Sequence, residues 1–232
     1  MNSSLFWNGS LSFFHSQFPP LMIASVINFR QLSYETPISL ASSLFSLGIL
    51  AALPIAYGLE VYAIRKFSGE KEFEARFGAT IDGVNPQTTV GLYWQPITLM
   101  RWALTNMILV FLRENYVAQI ISFLIISVVA QALIMRAQPF DCALDNRMNL
   151  LIEISVSLYL YAQLALTDFM GENTLRDSLG WFLACLIISV VAVNLLVLCF
   201  KVLAGVVKFI RKLLIKYKKS DTQRTVAIKP DV

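Results

Sequence analysis

The sequence predicts an all-α integral membrane protein: a bundle of about five transmembrane helices, with its N-terminus outside and its C-terminus inside. Three observations predict it. Of 232 residues, 56% are hydrophobic and 15% charged, and the mean hydropathy is +0.63. A soluble domain is about one-quarter charged, and a chain of this length has no core large enough for so much apolar surface. Apolar runs near the roughly 20 residues that cross a bilayer recur along the chain. Lysine and arginine gather on alternate connections between those runs. Ten glycines, eight prolines and three cysteines exclude collagen-like, disordered and disulfide-stapled classes.

The elements follow in order. Residues 1–37 form an N-terminal segment in which Leu11 to Phe29 is apolar but interrupted by Pro19-Pro20. It lacks the basic start of a signal peptide, and Leu21 to Phe29 is expected to be a short interfacial or re-entrant helix. The transmembrane bundle occupies 38–206. Its first span runs from about Ile38 to Ile64, with Pro54 and Gly58 marking a kink. The following inner loop, 65–92, carries Gly69, Gly78, Gly83, Gly91 and Pro86, and its Glu70–Arg76 segment suits one or two helical turns. Spans two to five run from about Tyr93 to Leu112, Ala118 to Met135, Met148 to Asp168 and Ser178 to Val206. Five residues link the second and third spans, which forces an antiparallel hairpin. These spans must be helices, because unpaired backbone groups in lipid cost several kcal/mol and no barrel-type alternation is present.

The basic residues set the orientation. One set of segments holds Arg30, Arg113 and Arg176; the other holds Arg65, Lys66, Lys71, Arg76, Arg136, Arg147 and nine more from Lys201 onward. The second set faces the inside. Two sequons, Asn2-Ser3-Ser4 and Asn8-Gly9-Ser10, then fall outside, and Asn2 and Asn8 are candidate glycosylation sites.

Catalytic signatures are missing. Cys142, Cys185 and Cys199 have no metal-ligand spacing, His15 is the single histidine, and there is no phosphate-binding glycine loop. The expectation is a protein that is not an enzyme, with no cofactor, no metal and no nucleic-acid partner.

Charge inside the spans reduces, on this reading, to Arg101 in the second and Glu153 in the fourth. Both spans run outward, and the positions differ in depth by about 4–5 Å, so the two can meet in the inner half of the bilayer. An unpaired charge there costs about 2.5–3.5 kcal/mol on insertion scales. A structural ion pair, a polar lining for a solute path and snorkelling to the headgroups are the three readings. Asn106, Gln131, Gln163 and Asn194 supply further polar groups, of a kind that commonly packs between helices. Ala41, Ser42, Ser43, Ser46 and Gly48 favour close helix contact along the first span.

Residues 207–232 continue the last span as a basic juxtamembrane helix and then a flexible tail. Lys208, Arg211, Lys212, Lys216, Lys218 and Lys219 are candidates for anionic headgroups, each worth about 1 kcal/mol at such a surface; an ordinary positive-inside stop signal is the alternative. Beyond Lys219 the sequence turns polar and unperiodic, and Ser220 to Val232 is expected to be disordered unless a partner holds it.

The run from Phe73 to Trp181 resembles the C-terminal transmembrane module of TRP-like multipass membrane proteins of ciliate and fungal type. The matching residues are Arg76-Phe77-Gly78, Tyr93-Trp94, Arg101, Gln138-Pro139-Phe140, Asn149, Glu153, Thr167-Asp168-Phe169 and Gly180-Trp181. The resemblance implies a helical bundle with a channel or transport-related role. About 37 residues precede the first span, where those proteins carry a long extracellular region, and no selectivity-filter motif is present. A non-catalytic structural or accessory subunit of a larger membrane complex is the competing reading. Expected partners are membrane lipids, including anionic headgroups, and either further copies of the chain or other subunits. The expected location is the plasma membrane or secretory pathway, alternatively the mitochondrial inner membrane.

Overall fold

The computed structural model describes residues 3–32, 34–68, 73–167 and 173–227, and these are almost entirely helical. The helices are α1 (Ser3–Arg30), α2 (Pro37–Phe67), α3 (Phe73–Ile81), α4 (Thr89–Leu92), α5 (Trp94–Phe111), α6 (Tyr116–Ala137), α7 (Ala143–Leu166) and α8 (Asn173–Ala227). The chain divides into two units, Met1–Leu179 and Gly180–Val232. Four helices are long and apolar enough to cross a membrane by themselves: α2, α6, α7 and the 176–211 part of α8. With α5, packed among α1, α2 and α6, they account for the five expected spans. The protein is an all-α multipass membrane bundle.

Local chemistry fixes the helix ends. Pro37 opens α2, and Thr36 and Ser39 form a reciprocal capping box ahead of it, which satisfies two otherwise orphaned donors. α2 continues through Pro54 to Phe67. α6 stops where Gln138 turns left-handed, at φ +43°, a common helix ending. α7 starts at Ala143, five residues before the expected Met148. Asn146 explains the difference: its side chain accepts from the Phe140 N–H and donates to the Phe140 and Cys142 carbonyls. That clamp orders the turn into helix. The same loop pairs with the one after α3, through Asn85 N–H to the Pro139 carbonyl at 2.7 Å and an isolated bridge between Val84 and Phe140. Trp94 meets the Phe140 ring edge-on.

The N-terminal segment departs most from expectation. Instead of a short helix over Leu21 to Phe29, α1 spans 28 residues and runs through Pro19 and Pro20. That is about 42 Å at 1.5 Å per residue. Membrane helices tolerate proline where neighbours occupy the disturbed backbone, and here Asn106 of α5 donates to the Pro19 carbonyl. Phe18, Met22 and Val26 of α1 are buried with Leu53, Leu99 and Val110. Near one end Asn8 accepts from the Ala79 N–H of α3 at 3.2 Å. At the other, Arg30 donates to the Val110 carbonyl and pairs with Glu114. α1 therefore runs the length of α5, and it starts at the end of the bundle that carries Arg65 and Lys66, not at the opposite end.

Arg30, the first lysine or arginine of the chain, stays with Arg113 in either arrangement, so the charge bias is untouched; if the basic end faces inside, the start of α1 faces inside with it. Asn2 lies outside the described residues. A tag at Asn2 and a tag after Val232 should both be protected from impermeant reagents in sealed cells, and neither sequon should acquire glycan. A reachable N-terminal tag or a glycosidase-sensitive mobility shift would overturn this arrangement.

The last helix also runs further than expected. α8 continues to Ala227, seven residues past Ser220. No proline or glycine falls between Gly205 and Pro230 to stop it. In the second unit large side chains such as Trp181, Ile188, Leu196 and Phe200 stand exposed along this helix, as lipid-facing residues do.

Candidate functional site

Arg101 and Glu153 meet as their depths predict. The guanidinium of Arg101 grips the carboxylate with both terminal nitrogens, Nη1 on Oε1 and Nη2 on Oε2, the latter at 2.9 Å. Two parallel charge-assisted bonds of this kind fix geometry as well as energy. Sequence reading missed the rest of the cluster. Ser127 of α6 donates to Glu153 Oε2 at 3.0 Å, and Ser157 of α7 donates to Ser127 at 3.1 Å. Gln131 donates to Ser157 at 2.6 Å and to the Glu153 backbone carbonyl at 3.0 Å. Ser127 and Gln131 are four apart on α6, and Glu153 and Ser157 four apart on α7, so each pair shares a face. The i, i+4 spacing of small polar residues opposite an intramembrane charge was the available signal. Ser127, Glu153 and Ser157 are buried, and both carboxylate oxygens are occupied. This network locks α5, α6 and α7 together.

The other polar residues divide. Asn106 and Gln131 bond between helices, whereas Gln163 reaches Tyr159 and Asn194 reaches the Val190 carbonyl within their own helices. Of the small residues on α2, Ser43 and Ser46 are buried, while Ala41 and Ser42 face outward.

A second buried carboxylate corrects the expectation of a single acid inside the spans. Glu60 on α2 is 4% exposed and pairs with His15 of α1, whose Nε2 lies 2.9 Å from Oε1. Thr80 of α3 approaches the same oxygen at 3.4 Å, a long contact for a hydroxyl. Oε2 is buried and has no hydrogen-bond partner among the described residues. The pair is 45 residues apart in sequence. Glu60 lies within the predicted first span, and an acid there demands a partner; His15, the chain's one imidazole, was the available signal.

The remaining candidates are placed as follows. Asn8 is engaged with α3, as above. Arg211 is exposed on α8. Lys208, Lys212, Lys216, Lys218 and Lys219 lie on the α8 backbone, but their side chains lie outside the described residues. Cys142, Cys185 and Cys199 are exposed free thiols. Among the described residues no group of three His, Cys, Asp or Glu is placed to hold a metal. Gln138-Pro139-Phe140 closes α6 and pins the two loops at the basic end.

No family model, no curated protein and no solved structure matches the chain. Fold and site together define its class: a multipass helical membrane protein braced by two buried interhelical acid–base pairs.

Proposed function

We propose that the chain is a non-catalytic membrane subunit whose bundle braces or seats a larger membrane assembly. The observation that supports this reading is the distribution of polar groups within a single copy. The polar clusters around Glu153 and Glu60 lie toward the basic end, each roughly 10–15 Å along its helix from that end. Beside them, Phe18, Met22, Val26, Leu53, Leu99 and Val110 form one apolar cluster, and Ile120, Leu124 and Leu160 form another. Apolar packing of this kind suits a brace, and both Glu153 carboxylate oxygens already have donors. The run of lysines and arginines in the sequence from Lys208 to Lys219 fits seating on anionic headgroups. A second reading, the TRP-like channel or transport bundle, is favoured by Glu60 Oε2, because a buried acceptor with spare capacity inside a bundle is a feature of ion and proton paths.

The test separates the two. Purified full-length protein in sealed vesicles should pass potassium and protons no faster than empty vesicles. Mild-detergent extraction from its own membrane should give particles holding the chain at fixed ratio to other polypeptides. Cation flux from the purified chain, lost in Glu60→Leu, would overturn the bracing role and establish the transport one.

A further inference from the structure

A crevice of about 330 Å³ opens between α2, α5 and α6. Its walls are apolar, with Ala130 buried at 6% exposure and Met100, Leu104 and Val129 about half exposed. Two residues that carry polar groups are among those lining it, Tyr57 of α2 and Arg101 of α5. Both carry unused hydrogen-bonding capacity. The bonds to Glu153 take two of the five N–H donors of a guanidinium, and the Arg101 side chain is 35% exposed. Tyr57 makes no hydrogen bond among the described residues. Arg101 lies seven residues into α5, about 10 Å from its start. An arginine at that depth ordinarily snorkels to the headgroups, but the two-point grip of Glu153 holds this one in place. Donors fixed within hydrocarbon and lacking acceptors are costly, and they define what would fill the space.

We propose that this crevice binds a lipid-soluble molecule carrying one neutral oxygen acceptor, a ketone-type carbonyl, beside an apolar body. The size and lining match small-molecule sites between bundle helices, which are mostly apolar with a few convergent polar groups. Charge selects the neutral acceptor. Arg101 and Glu153 already cancel, so a carboxylate ligand would bring a net negative charge into the bilayer, whereas a carbonyl accepts from the spare N–H and the Tyr57 hydroxyl without one. The site is independent of whether the chain acts as a brace or a transporter.

The experiment uses full-length protein in phosphatidylcholine vesicles and three photoactivatable probes of equal chain length: a long-chain methyl ketone, the matching carboxylate and the matching alkane. The ketone should label the peptides containing Met100, Leu104 and Val129, and excess unlabelled ketone should abolish that labelling. Val129→Phe, which fills the mouth, should cut it at least about tenfold. Tyr57→Phe, which removes one hydroxyl, should cut it about threefold to tenfold, the range of one hydrogen bond. If Val129→Phe does not fold, Tyr57→Phe decides alone, since it adds no atom. Equal labelling by all three probes, unchanged in Tyr57→Phe, would reduce the crevice to ordinary lipid contact. Preference for the carboxylate would overturn the neutral-acceptor class.

Discussion

Arg101→Leu is expected to destabilise the bundle by about 3–5 kcal/mol, the usual result of stranding one member of a buried ion pair. Glu153 would keep the Ser127 hydroxyl but lose both guanidinium bonds, with its oxygens sealed between α6 and α7. The double change with Glu153→Leu should recover much of the loss. Ser127, Gln131 and Ser157 would remain bonded to one another, and both Gln131 and Ser127 would keep the residue-153 backbone carbonyl. Reversible unfolding in mixed detergent micelles, followed by helical circular dichroism, measures all four corners of the cycle. Strict additivity of the two single losses would show that the side chains do not interact.

His15→Leu is expected to be nearly as damaging, and its rescue should go further. Glu60 would then hold two buried oxygens with no strong donor, because the Thr80 contact is long. In the wild-type protein Oε2 already lacks a partner among the described residues, a penalty of about 1–3 kcal/mol for a buried polar atom. Replacing both residues, His15→Leu with Glu60→Leu, removes that orphan as well as the pair. The double variant should therefore match or exceed wild-type stability, unlike the double variant at 101 and 153. A double variant no more stable than His15→Leu would show that the pair is integral to α1–α2 packing. If cation flux were lost in that same variant, the pair would be retained for function at a cost in stability.

The contrast between the two pairs shows what a sequence carries. Composition and run length determined the class, because apolar stretches of membrane length have one stable solution, the helix, whatever surrounds them. The short link between α5 and α6 determined their hairpin. Arg101 and Glu153 could be paired from sequence because each stands alone in an apolar run and helical rise converts position into depth. The Asn146 clamp and the Ser127–Gln131–Ser157 relay use ordinary polar residues, whose partners depend on which helix faces turn together.

Only the tertiary structure decided the fate of the N-terminal segment. His15, Ser16, Gln17, Pro19 and Pro20 dilute its hydropathy below that of a self-sufficient span, and no local pattern restores it. Its neighbours make it a full-length helix: Glu60 takes the imidazole, Asn106 takes the Pro19 carbonyl, and Leu53, Leu99 and Val110 bury Phe18, Met22 and Val26. Hydropathy measures a helix against lipid, one residue at a time. A helix that is solvated by other helices answers to contacts from residues dozens of positions away, and those exist only once the bundle has formed.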